Sequence, residues 1–237
     1  MKNKFIFLTL FLALSPALCA AQDTALLGGM VQSDRWIIRK DKMEEEFIGN
    51  VSYKNDIYTA KADYALSRRR EQTFNLKGNV FASQKKDGTT AQITAENFFY
   101  NNKTGEGYAT PKKNAQVNAV YTTQTNRLKA FGNKLDFKDK FSVFEMSGNC
   151  ELDEINNTLY ADKMIFDTNS GVFNAHGNRP VLWGFNPDGD YAVQADDITV
   201  QTKEGFLKAQ GRVQGWVVSA KEFPNLTQGS KNGTEIF

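Results

Sequence analysis

Residues 160–178 read YADKMIFDTNSGVFNAHGN. Two short runs alternate in this stretch. Met164 and Phe166 lie two and four residues after Asp162, and Phe173 and Ala175 lie four and two residues before Gly177. Apolar residues at every second position mark a strand with one buried face. Between the runs, residues 167–171 (DTNSG) have the composition of a tight reversal. The stretch reads as strand, turn, strand, opened by an acid and closed fifteen residues later by Gly177-Asn178.

The same frame recurs along the chain. Asp34 precedes Gly49-Asn50 by fifteen residues, Asp63 precedes Gly78-Asn79, and Asp196 precedes Gly211-Arg212. Two degenerate copies fit, Asn133 before Gly148-Asn149 and Glu96 before Pro111. Six units therefore begin near residues 34, 63, 96, 133, 162 and 196. A fixed spacing carried through six copies is the mark of a repeat architecture.

Behind each opening position the alternating residues are Trp36 and Ile38, Phe98 and Tyr100, Leu135 and Phe137, Met164 and Phe166, and Ile198 and Val200. The second unit is poorer, with Ala65 and Ser67. Ahead of the glycines stand Phe74 and Leu76, Phe144 and Met146, Phe173, and Leu207. Val51, Tyr53, Val80, Cys150, Leu152 and Val213 continue the rhythm beyond them. Residues 101–105 (NNKTG) supply a second reversal, and no helical stretch of comparable quality is present. The expected fold is all-β and antiparallel throughout, with polar residues such as Lys134 and Lys163 on a solvated face.

Composition supports a folded domain, with 237 residues, 41% hydrophobic and 18 Phe. The first 21 residues read as a secretory leader. Lys2 and Lys4 precede the apolar run Phe5 to Leu14, and small residues lead to cleavage after about Ala20 or Ala21. That run is half the length of a membrane span, and Cys19 lies in a poor lipobox. Losing the leader leaves 27 basic residues of the original 29 against 27 acidic ones. A neutral chain argues against nucleic acid as a partner. It also keeps one cysteine, Cys150, which excludes an internal disulfide. Residues 22–218 are the expected repeat domain, and residues 219–237 a polar tail expected to be disordered.

Three stretches carry a family resemblance: residues 160–178, TAKADYAL with FNLKGNV (59–66 and 74–80), and VQADDITVQTKEGFLKAQGRV (193–213). They resemble OstA-like repeats, the domain of the periplasmic lipopolysaccharide-transport proteins, over about residues 33–216. The resemblance implies a twisted, open β-jellyroll whose apolar interior receives the lipid A acyl chains of lipopolysaccharide. It also implies partners: other OstA-like proteins of the inner- and outer-membrane machinery, and head-to-tail copies of the same chain, joined through open edge strands. The leader makes the soluble periplasmic bridge the expected counterpart. The expected lipid groove is Trp36, Ile38, Phe74, Leu76, Phe98, Tyr100, Leu135, Phe137, Phe144, Met146, Met164, Phe166, Phe173, Ile198, Val200 and Leu207.

Other constellations carry blander readings. Asp188, Gly189 and Asp190 lack the spaced ligands of a calcium loop and suit a two-residue turn. Arg68 to Arg70 suit a strand end, although arginine forks also meet phosphates. Glu44 to Glu46 are expected at a solvent-facing turn, and Arg179-Pro180 at an edge or bulge. The repeated acids open strands and are not a catalytic pair, and His176 has no nucleophile motif beside it. No catalytic, metal or cofactor site is expected. The competing reading is an envelope scaffold with a closed, dry core and protein partners only.

Overall fold

The computed structural model describes residues 29–219 apart from 87, 187–188 and 202–205. The expected leader and most of the expected tail lie outside the described residues. Eighteen strands are present among them. The first nine are β1 (Met30–Gln32), β2 (Arg35–Arg39), β3 (Glu44–Lys54), β4 (Tyr58–Arg68), β5 (Thr73–Lys86), β6 (Thr89–Asn101), β7 (Glu106–Thr110), β8 (Val117–Thr122) and β9 (Arg127–Gly132). The rest are β10 (Lys134–Lys138), β11 (Val143–Glu154), β12 (Asn157–Asp167), β13 (Val172–His176), β14 (Val181–Asn186), β15 (Gly189–Gln194), β16 (Asp197–Gln201), β17 (Phe206–Gln210) and β18 (Gln214–Ser219).

Every pairing is antiparallel, and together the pairings form two layers. The front layer runs in space as β2, β3, β4, β5, β6, β7, β10, β11, β12, β13, β16 and β17. The back layer runs as β1, β3, β4, β5, β6, β8, β9, β11, β12, β14, β15 and β18. The long strands β3, β4, β5, β6, β11 and β12 appear in both, because each crosses from one layer to the other partway along. This is the open jellyroll that the family resemblance implies, each repeat unit contributing two passes. Among the described residues, β1 and β2 at one end and β17 and β18 at the other pair on one side only.

The crossings explain the repeat signature. At Gly49-Asn50 and Gly78-Asn79 both residues have positive φ, 76° and 46° in the first pair and 72° and 47° in the second. Glycine adopts this region freely, and asparagine tolerates it better than most residues. Pairing register shifts at each of these sites, so the Gly-Asn pairs are bulges inside continuous strands rather than chain reversals. The acid fifteen residues earlier packs against the glycine. A Cβ on Gly78 would lie 2.4 Å from Asp63 Oδ2. Asn79 Nδ2 then donates to that carboxylate at 2.8 Å, and Asn50 Nδ2 donates to Asp34 at 2.9 Å. In the last unit Arg212 takes the asparagine's place and donates to Asp196 through Nε at 2.9 Å.

The degenerate units differ where their sequences do. Pro111 ends β7, and a loop replaces the bulge before β8. Pro180 separates β13 from β14 and is fully buried, but β14 pairs with both β12 and β15. The Arg179-Pro180 interruption is thus a layer crossing in the interior of the sheet and not an edge. Pairing of β14 with β15 extends to Asn186 opposite Gly189, so Gly189 and Asp190 open a strand rather than sit in a turn, and Asp188 lies outside the described residues.

Candidate functional site

Residues facing the space between the layers are apolar almost throughout. One continuous core joins Val80, Phe98, Val117, Leu135, Phe137, Cys150, Leu159, Met164 and Ile198. Packing is uneven along it. Toward the C-terminal end Ala175, Ala195 and Ile198 have no exposed surface. Between the layers in the N-terminal half lies a cavity of about 180 Å³.

This first chamber is walled in front by Phe47, Ala65, Phe74, Leu76, Phe98, Tyr100 and Phe144, and behind by Val51, Tyr53, Tyr58, Ala60, Ala82, Ala91 and Ile93. A second chamber of about 60 Å³ adjoins it, lined by Ala119, Tyr121, Leu128, Leu135, Met146, Met164, Phe166 and Phe173 among others. Ala91, Ile93 and Phe144 line both. The void occurs where inward positions are alanine: Ala60, Ala65, Ala82 and Ala91 place methyl groups where the C-terminal half places Leu159 and Ile198. Apolar cavities of about 150 Å³ stay dry and take up hydrocarbon, so the first chamber suits an alkyl occupant.

Hairpin tips border the first chamber on the side away from the crossings. Asn102 and Phe141 come from two front-layer tips. Phe141 has φ 68° and follows Asp139 and Lys140 at 49° and 54°. Its ring stacks on Tyr100 at 4.7 Å and on Phe137 at 4.9 Å, which holds an otherwise unfavourable run of left-handed residues in place. Burial pushes the phenols of Tyr53 and Tyr100 above their ordinary range, so both line the chamber uncharged at neutral pH.

Among the described residues, Glu45 is the charged one that the fold buries. Glu44 to Glu46 lie within β3 and not at a solvent-facing turn, and Glu45 points inward with 3% exposure. Arg69, from the β4–β5 tip, is its ion-pair partner. The flanking acids face outward, Glu44 against Arg68 at 3.0 Å and Glu46 against Arg39 at 2.5 Å. The acidic and arginine triplets therefore meet each other, which their separation in sequence conceals.

Of the expected groove residues, Phe74, Leu76, Phe98, Tyr100 and Phe144 line the first chamber, and Leu135, Phe144, Met146, Met164, Phe166 and Phe173 the second. Phe137 and Ile198 are fully buried packing, and Val200 packs against that core. Trp36, Ile38 and Leu207 lie at the sheet ends, 58%, 50% and 38% exposed. Trp36 stacks on Phe47 at 5.6 Å, which carries the apolar wall out to the open edge. The expectation missed the back wall, Val51, Tyr53, Tyr58 and Ile93 above all, together with Phe47 and Phe141. Val51 and Tyr53 carried a signal, the rhythm continuing past Gly49.

Residues 30–172 match the family described as LptA/(LptD N-terminal domain) LPS transport protein. The chain belongs to that family. The matched residues contain every residue lining the first chamber, and all of those lining the second except Phe173. A solved structure from Pseudomonas aeruginosa is also similar. It is LptH, described as the LptA-homologous periplasmic component of the conserved lipopolysaccharide transport device. It shares 13% identity with this chain at a TM-score of 0.30, over 63% of this chain and 82% of that one. Among curated proteins none matches the chain. The family's description names transport and no reaction.

Proposed function

We propose that this protein is an exported periplasmic carrier that holds the acyl chains of lipopolysaccharide between its layers on the way to the outer membrane. The observation that carries the reading is the alanine-walled chamber of about 180 Å³ in a member of a lipopolysaccharide-transport family. Alkyl chains need no specific chemistry to bind there. Each buried methylene contributes about 0.8 kcal/mol, and the walls are mostly apolar side chains. No covalent step is involved, and the protein acts by binding alone.

Stacking through the sheet ends is the second part of the reading. Strands with one unpaired side recruit further strands. Here those strands also expose apolar residues on their inward faces, Trp36 and Ile38 on β2 and Val217 on β18. Other members of the family, or a second copy joined head to tail, fit these ends.

Mass spectrometry of the mature protein, purified without detergent from its own envelope, tests the carrier. Lipid A-bearing molecules near one per chain are the expected result. A folded protein that stays lipid-free after incubation with excess lipopolysaccharide would overturn it in favour of a closed scaffold.

A further inference from the structure

We infer that Phe144, with Ile93 opposite, is a partition that sets the length of alkyl chain the first chamber accepts. The inference rests on the carrier reading above. Phe144 comes from β11 in the front layer and Ile93 from β6 in the back layer, and both border both chambers. The third shared residue, Ala91, is too small to divide anything. Phe144 pairs with the fully buried Phe137 on one side and with Phe166 on the other. Its own ring is only half-buried because it faces the void.

The dimensions follow from the strand order. In the back layer the first chamber runs from Val31 on β1 across β3, β4 and β5 to Ile93 on β6. Four inter-strand steps of ~4.8 Å make a span of about 19 Å. One leaflet of a bilayer, half of its ~30 Å hydrocarbon core, is about 15 Å deep. Along the back layer the chamber thus matches one ordinary acyl chain laid across the strands, its end at Ile93, which borders both chambers together with Phe144. The second chamber continues over β8 and β9 to Leu152 on β11, three more steps and about 14 Å. A longer chain reaches it only by displacing the partition. Both partition residues are apolar, so the barrier is steric and a smaller side chain removes it.

Calorimetric titration of the full-length mature protein with saturated fatty acids of increasing length, each below its critical micelle concentration, reads this directly. Affinity should rise about fourfold per added methylene and then stop rising at the length whose end meets Phe144. In Phe144→Ala the rise should continue to longer chains. Phe144→Leu should move the break by less, and Phe144→Trp should move it to shorter chains. Circular dichroism establishes that each variant is folded, and the Leu and Trp variants carry the test should Phe144→Ala unfold. A break at the same length in every folded variant, or a rise without a break in the wild-type protein, overturns the partition while leaving the carrier standing. Failure of the wild-type protein to bind any of the acids overturns both.

Discussion

Replacing Arg69 with alanine should destabilise the protein far more than its position at a hairpin tip suggests. Glu45 is 3% exposed and faces the interior beside Phe47, and its cation is Arg69. Removing one partner of a buried pair leaves an uncompensated charge, at a cost of roughly 3–5 kcal/mol. The Arg69 side chain is 31% exposed, so water reaches the vacated space and the loss belongs at the low end, about 3 kcal/mol. In urea, with an m value of about 3 kcal/mol/M, the unfolding midpoint should fall by about 1 M. Tryptophan fluorescence is the assay. Adding Glu45→Gln to Arg69→Ala should restore part of the loss, because a buried neutral amide costs less than a buried carboxylate. Glu45→Leu with Arg69→Met, which removes both charges and keeps the volume, should come out near neutral or more stable. A shift below about 0.2 M in Arg69→Ala, or no recovery in the double variant, would refute the view that Arg69 neutralises a dry carboxylate.

Three further outcomes are expected. Gly78→Ala should lose about 2 kcal/mol or more on thermal or urea unfolding, since its φ is +72° and the new methyl meets Asp63 at 2.4 Å. The loss should shrink in an Asp63→Ala background. Cys150, buried and with its thiol pushed up to about 11, should ignore a disulfide reagent at neutral pH in the folded protein and react fully in urea. Glu145 accepts a hydrogen bond from Lys163 at 2.7 Å, which holds its carboxyl below the ordinary glutamate range. Its contribution is present above the unfolded-state value and lost as pH falls through the lowered one. Glu145→Gln should therefore flatten the acid side of a stability-versus-pH curve and leave the alkaline side unchanged.

The fold was legible because the crossings make demands that only a few residues meet. Two successive left-handed residues call for Gly-Asn, and a cross-strand acid must sit where a glycine side chain would be. Those requirements recur at most of the crossings, Pro111 and Asn133 marking the departures, and so surface as a spacing. The back wall of the site was not legible for a reason at the same crossings. In β4 the inward residues Ala60 and Ala62 are followed by Ala65 and Ser67, so the alternation slips by one residue at Asp63. A reading that begins at the acid sees a strand starting there and misses its earlier half. Tyr58 and Ile93 were lost in this way. The chamber itself was written in Ala60, Ala65, Ala82 and Ala91, which alternation alone scores as weak strand residues. The Glu45–Arg69 contact was hidden because charge triplets read in isolation belong on a surface.

The uneven interior also bears on how a stack of such carriers would work. Crossings tie the layers along one side with side-chain hydrogen bonds such as Asn79 to Asp63 and Arg179 to the Arg212 carbonyl at 2.7 Å. The larger void falls in the N-terminal half, beside the β1 and β2 edge, and the smaller one reaches on to Met164 and Phe173. Joined head to tail, one protein's first chamber would abut its neighbour's C-terminal half, where Ala195 and Ile198 are wholly buried. A lipid would not meet a uniform open channel under those conditions. It would meet a roomy compartment, then the Phe144 partition, then a close-packed stretch that has to part before the next compartment is reached. On the carrier reading proposed above, transport along such a stack would be a series of discrete transfers between chambers, with the packed C-terminal half of each protein setting the barrier between them.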